Sequence, residues 1–316
     1  MPDVGCAGIL VEDTFCGPIA AFPAEGALLA LDDMPVKAGG CAANVAIDLA
    51  KQGISVDVAG CIGRDSAAEF LLQTYRAHGV GCARVVQVPG QTSRCIILLV
   101  EGQDRRYLYV AGANRDFTID HISRDWLSQL KVFYLGGLFV LPGINLEKLA
   151  ELLTLCRSAK VMTVVDVVVP QDLRGMAQLK HLLPLIDVFV PNEDEARAFT
   201  GVTDPFDQLR VLQNSGAHTV IITRGGKGSV ATRGSKRWRC GSYQMQVLDP
   251  SGSGDAFTSG VIRSLLEGWD MPQTLRYASA LGASVTRAAG TNDSLFTAAE
   301  AEAFLADHPL TVSDGH

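Results

Sequence analysis

Short continuous apolar runs alternate along this chain with longer stretches whose apolar positions recur at helical spacing. The opening VGCAGILV, closing on Glu12 and Asp13, reads as a buried parallel strand that delivers a carboxylate at its C-terminal end. Such strand ends are where open α/β sheets bind ligands. AANVAIDLAKQG follows with helical spacing and stops at Gly53, and SVDVAGCIG returns to an extended pattern. Ser66 and Glu69 have the spacing of a capping box ahead of a helix ending near Gly79. From about 80 to 112 the alternation breaks: VVQV, SRCIILLVEG and RRYLYVAGAN read as strands joined by turns, and with 14–37 they predict a small antiparallel insert. The βα rhythm then resumes through KVFYLGG, a helix over Leu146 to Ser158, VMTVVDVVV, DVFVPNEDEARAFTG and TVIITRGG. After strands between Ser229 and Val247 the remainder reads as mainly helical. The pattern predicts an α/β protein with one domain over 1–316: a doubly wound, mainly parallel sheet flanked by helices, with a β lid from about 14–37 and 80–112.

Composition narrows the function classes. A chain of 316 residues, 47% hydrophobic and 19% charged, can bury a large core without disulfides or metal. Its net charge of -7 argues against a general nucleic-acid or anionic-membrane binder, which needs a basic surface. The eight cysteines form no C-x-x-C pair and have no zinc-ligand spacing, so they read as reduced thiols. With an acidic start and no apolar stretch approaching a membrane span, the expectation is a cytoplasmic protein.

Two glycine-rich segments carry the chemistry. In LDPSGSGDAFTSGVIRSLLEG a strand end passes through Gly252, Ser253 and Gly254 into a helix expected to begin near Asp255. Small residues there let successive backbone N–H groups converge at the positive end of a helix, which suits a phosphoryl group or a developing oxyanion. Asp255 reads in one of two ways: as a cap on that helix, or as a base that accepts a proton from an attacking hydroxyl. In AGGCAANVAIDLAKQG, Gly39 and Gly40 precede a helix with Asn44 in its first turn. That arrangement serves either a tight turn or the hydrogen bonding of sugar hydroxyls.

Together these segments resemble the two signature motifs of the ribokinase/PfkB family of carbohydrate kinases. The first runs from Gly39 through Gly40, Ala42, Asn44, Ala46 and Gly53 to Gly63, and the second from Asp249 through Gly252, Ser253, Gly254 and Asp255 to Gly260. The resemblance extends over most of the chain. It implies a ribokinase-like fold, ATP-dependent phosphorylation of a hydroxyl on a small sugar, and Mg2+ with ATP as cofactors. Asp255 would be the catalytic base, with Gly252, Ser253 and Gly254 around the transferred group, while Asp13, Gly39, Gly40 and Asn44 would hold the sugar. Thr223, Gly225 and Gly228 of IITRGGKGSV would line the ATP pocket, and Asn192 and Glu195 of VPNEDEARAFTG would stand near magnesium and phosphate. Ala283 and Gly290 would wrap the adenine. Asp249 would help hold a monovalent cation such as K+, although Pro250 stands where the family commonly has Thr.

The same residues have plainer readings. PNEDE is also an ordinary helix start, and TRGGKG a glycine-rich turn; it is not a Walker A motif, since Gly228 follows Lys227 where a hydroxyl residue is required. Arg105 and Arg106 either meet an anionic group or sit solvated on an edge strand. The run from Lys236 to Arg239 reads as a surface strand. A nucleoside kinase of the same fold and a non-catalytic sugar sensor are the competing readings, and pairing of the lid with its twin predicts a homodimer.

Overall fold

The computed structural model describes residues 1–170, 173 and 175–315. In chain order the strands are β1 (Val4–Gly8), β2 (Val11–Ile19), β3 (Val36–Gly39), β4 (Val56–Ile62), β5 (Gly81–Gln87), β6 (Arg94–Val100) and β7 (Arg106–Val110). They continue with β8 (Val132–Leu138), β9 (Met162–Val167), β10 (Val188–Phe189), β11 (Thr219–Thr223), β12 (Ser229–Arg233), β13 (Lys236–Cys240) and β14 (Val312–Asp314). The helices are α1 (Cys41–Lys51), α2 (Ser66–Ala77), α3 (Arg124–Leu127), α4 (Leu146–Ser158) and α5 (Glu193–Thr200). After them come α6 (Pro205–Asn214), α7 (Ser253–Glu267), α8 (Met271–Ser284) and α9 (Ala298–Asp307).

Among the described residues, ten strands form a large sheet in the order β14-β13-β12-β11-β10-β9-β8-β1-β4-β5. From β11 to β5 all neighbours are parallel, and β12, β13 and β14 add an antiparallel edge. The apolar runs are unbroken because both faces of this sheet are covered, so successive side chains enter different cores. On β8 and β9, for example, Leu135 and Val165 join the core under α4 and α6, while Tyr134 and Val164 join the core under α1, α2, α7 and α8. The doubly wound α/β expectation holds.

A second sheet has the order β3-β2-β6-β7, and here several expectations need correcting. The opening run is two strands rather than one. β1 ends at Gly8, and the chain leaves the large sheet through Ile9 and Leu10 to start β2 in the small one, so Asp13 is a residue of the small sheet. Asn114 staples the crossing: its Oδ1 accepts from Leu10 N–H at 3.1 Å and its Nδ2 donates to Leu10 C=O at 3.2 Å. The small sheet is not purely antiparallel, because β2 and β6 run parallel. Val85 to Gln87 of VVQV belong to β5, an edge strand of the large sheet, and not to the small one.

At α2 the cap is Asp65, whose carboxylate accepts from Ala68 N–H, so the Ser66/Glu69 box does not form. A carboxylate one residue earlier reaches the orphan N–H groups first and also takes two hydrogen bonds from Thr92. The final strand β14, short and polar, carries no apolar run that could announce it.

Alternation gives the small sheet two distinct faces. One in-register row, Lys37–Asp13–Cys95–Tyr109, and a second with Ile97 opposite Tyr107 lie on the same side. The row Val36–Thr14–Ile96–Leu108 lies on the other.

Candidate active site

The first side of the small sheet covers a cleft of about 500 Å³ at the C-terminal ends of the parallel strands. Asp13, Gly40, Asn44, Asn192, Glu195, Thr223, Gly252, Gly254 and Asp255 all line it. A second cavity of about 310 Å³ holds Gly225, Gly228, Ser253 and Ala283, and it too is lined by Thr223 and Gly254. The two hollows therefore meet at the N-terminus of α7. Gly290 and Asp249 line neither, and Asp249 braces two loops instead: its carboxylate accepts from Ser251 N–H at 2.9 Å and from Gly290 N–H at 3.1 Å.

α7 begins at Ser253, two residues before the expected start, with Gly252 as its cap residue. Gly252 has φ +75°, and a Cβ there would fall 2.3 Å from the Thr291 carbonyl oxygen, so glycine alone fits the turn. No side chain caps this helix. The Asp255 carboxylate instead receives Asn44 Nδ2 from α1 at 2.7 Å. That contact spans 211 residues and decides against the local capping reading. Burial pushes the Asp255 carboxyl above the ordinary range, while hydrogen bonds from Asn44 and Cys41 and the charge of Arg105 pull the other way.

Asp13 faces the same space, and Gly39 lies so near that a Cβ on it would fall 1.7 Å from Asp13 Oδ2. Any side chain at Gly39 would displace this carboxylate, which accounts for the first glycine of that segment. Burial, and then the charge of Asp255, lifts the Asp13 carboxyl to about 8. Asn192 and Glu195 form a reciprocal capping box on α5, which bears out the plain reading of PNEDE, and both also line the cleft. The Glu195 carboxyl rises to about 8 through burial and the charges of Asp166, Asp255 and Asp194, against a hydrogen bond from the Asn192 amide.

Several residues of the cleft escaped the sequence reading. Asp166, at the end of β9, is buried and accepts from the Tyr134 hydroxyl and, at 2.6 Å, from Gly137 N–H. Burial and Asp255 push its carboxyl up to about 7. The only cue was a lone acid inside the apolar run VMTVVDVVV. Cys41, Tyr107 and Tyr109 also face the cleft, and Asn114 Nδ2 donates to the Tyr109 hydroxyl at 3.0 Å. Of the two arginines at the start of β7, Arg105 lines the cleft, with its Nε donating to the Tyr107 hydroxyl, whereas Arg106 lies over the Phe22 ring outside it.

Raised carboxyls carry a stability consequence. The folded protein keeps protons on Asp13, Asp166 and Glu195 that an unfolded chain releases near its ordinary value of about 4. Between about pH 4 and pH 8 the native state thus binds more protons than the unfolded one, and this contribution to stability falls as pH rises. Thermal melts of the unliganded protein should show Asp13→Asn narrowing the difference in Tm between pH 5 and pH 8. An unchanged difference would place Asp13 in a wetter setting than its burial indicates.

Residues 13–298 match the model of the pfkB family carbohydrate kinases. This chain belongs to that family. As a pfkB family member it is an ATP-dependent carbohydrate kinase. It is 25% identical over 259 residues to an ATP-dependent 6-phosphofructokinase of Thermoanaerobacterium thermosaccharolyticum, covering 80% of each chain. It is 26% identical over 292 residues to the ribokinase of Haemophilus influenzae, covering 90% of this chain and 92% of that one. Among solved structures, Arabidopsis thaliana ribokinase complexed with ribose and ATP superposes with a TM-score of 0.82 at 23% identity, over 96% of this chain and 98% of that one. The pfkB fold is thus seen whole here, ribokinase-like sheet and small sheet together.

Proposed function

We propose that this pfkB kinase transfers the γ-phosphoryl group of ATP to a hydroxyl of a small neutral sugar, with Asp255 as the base. The observation that carries this reading is the position of Asp255. Asp255 lines the larger cleft directly after Gly254, which lines both cavities, and its carboxylate is held from across the fold by Asn44 and free of any capping duty. Sugar would occupy the larger cleft against Asp13, Asn44 and the Gly40 backbone, and the nucleotide would lie along Thr223 to Gly228 and Ala283. Asp255 takes the proton of the attacking hydroxyl as its oxygen bonds to the γ-phosphorus and the bond to the β,γ-bridging oxygen breaks, releasing ADP. Backbone N–H groups at the start of α7, fixed before reaction, face the charge that develops on the phosphoryl oxygens. Mg2+ fits the donor set, because Glu195 and Asn192 offer hard oxygen ligands in a cleft whose carboxylates repel one another, and when bound it supplies countercharge to the phosphates. The small sheet acts as the lid of a single working unit, closing over the sugar to exclude water.

Charge indicates the substrate class. Asp13, Asp166, Glu195 and Asp255 face Arg105, the one cation lining this cleft among the described residues, and its guanidinium already has Tyr107 and Asp104 as partners. A phosphorylated sugar would bring a dianion into a cleft of four acids whose one cation already has partners, so a neutral one fits better. Coupled ADP release with Mg-ATP should respond to ribose, fructose or 2-keto-3-deoxygluconate class sugars and not to sugar phosphates; the reverse preference would overturn this. Nucleosides belong in the same panel, because Tyr107 and Tyr109 stand two apart on β7 across from Val140, Val167 and Val190, a setting that suits a flat base. Silence across the whole panel with ATP bound would favour the sensor.

On the outer side of the lid, Val36, Ile96, Leu108 and Val110 are each at least 42% exposed in adjoining rows. We propose that a second copy covers this face in a homodimer. Light scattering should give twice the chain mass, and Leu108→Lys should shift it to the monomer; a wild-type monomer would reject the pairing. Among the described residues no helix is long and apolar enough to cross a membrane, and all eight cysteines are unpaired, which suits a reducing compartment such as the cytoplasm.

A further inference from the structure

Cys41 is the first residue of α1, Asp166 is the penultimate residue of β9, and Asp255 lies in the first turn of α7. Folding brings one donor atom of each, a thiol sulfur and two carboxylate oxygens, within 4.8 Å of one another. Tetrahedral zinc sets its ligands roughly 3.5 Å apart, so small side-chain rotations close the triangle. Both carboxylates are oriented from behind, Asp166 by the Tyr134 hydroxyl and Gly137 N–H, Asp255 by Asn44 Nδ2. Outer hydrogen bonds of this kind hold metal ligands in place.

An independent sign comes from Asn44. It is 3% exposed and lines the same cleft, yet its side-chain Oδ1 has no hydrogen-bond partner. A buried oxygen left without a donor, beside two carboxylates that repel each other, marks a place where a cation gains. Magnesium draws on oxygen ligands and has no use for the sulfur, whereas a thiolate selects softer ions.

We propose that Cys41, Asp166 and Asp255 form a site for a soft divalent cation such as Zn2+, with its remaining coordination position open to the cleft. Binding forms a metal–sulfur bond as the thiol proton passes to solvent, and no electron transfer is involved. An ion held there removes Asp255 from proton transfer, so the site inhibits the kinase. That consequence rests on Asp255 as the base, while the binding itself does not.

Cd2+ added to the full-length protein in Mg2+ buffer tests the site through thiolate-to-cadmium absorption in the near ultraviolet, and a chromophoric chelator competed against Zn2+ gives the affinity. The wild type should show a cadmium–thiolate band that Cys41→Ser lacks. Zn2+ affinity in that variant should fall by at least the ~10- to 100-fold that losing an outer partner costs a metal site. Asp166→Asn, which keeps every cysteine, should also weaken Zn2+. Equal bands and affinities in wild type and Cys41→Ser, both folded by circular dichroism, would overturn the site. If instead Asp255→Asn keeps full turnover while the wild-type band is present, the site stands and only its inhibitory consequence falls.

Discussion

Asp255→Asn lowers turnover by about 10²- to 10⁴-fold, the range expected when a positioned base is lost. The substitution is nearly isosteric, and its side-chain oxygen can still accept from Asn44 Nδ2, so α1 and α7 stay joined. What disappears is the charge. Asp13, Asp166 and Glu195 are each pushed up partly by that charge, so the variant should relax all three carboxyls toward their ordinary range. Its Tm near pH 8 should therefore be no lower than that of the wild type, while ATP binding persists. Loss of turnover with retained stability and retained ATP identifies a chemical role. Wild-type turnover in Asp255→Asn would refute the base and move attention to Asp13 or Asp166, the other buried acids of the cleft.

How much of this was legible in the chain follows from the range over which each feature is encoded. α1, α4 and the inner strands β4, β8, β9 and β11 could be read because apolar period and local stop signals fix them within a dozen residues, as at Gly53 after α1. The two glycine-rich segments could be read from their spacing, although the groups that require glycine there, Asp13 against Gly39 and the Thr291 carbonyl against Gly252, are distant in the chain. The crossover at Ile9 and Leu10 was hidden, because strands of both sheets are apolar at this point and the staple, Asn114, lies 104 residues away. Asp166 was hidden likewise. It is one letter in an apolar run until Tyr134 and Gly137, on or beside β8, close around it. Arg105 and Arg106 are adjacent in sequence and indistinguishable by composition, yet Arg105, just ahead of β7, lines the cleft, and Arg106, its first residue, lies over the Phe22 ring.

Gly252→Ala should be the second severe lesion, and comparing it with Gly254→Ala separates two reasons for glycine in one motif. At Gly252 the backbone has φ +75° and a Cβ would meet the Thr291 carbonyl oxygen at 2.3 Å, so strain and a backbone clash coincide. A left-handed residue bearing a Cβ costs roughly 1–2 kcal/mol before any clash. Relief requires the turn to shift, and with it the N–H groups and carboxylate of α7's first turn. Losing one prepared oxyanion donor costs about 10²–10³ in kcat, so a comparable fall in turnover with a lower Tm is expected. Gly254 is different. It lies within α7, and a Cβ there meets nothing within 4 Å. Ala in place of Gly should raise stability by at most roughly 0.5–1 kcal/mol in this first turn, yet Gly254 lines both cavities, where an added methyl group intrudes on bound substrates. Gly254→Ala should therefore melt no lower than the wild type while its KM for ATP rises. If Gly254→Ala instead keeps the wild-type KM, the phosphoryl group does not pass over the start of α7, and the placement of the nucleotide along Thr223 to Gly228 is wrong.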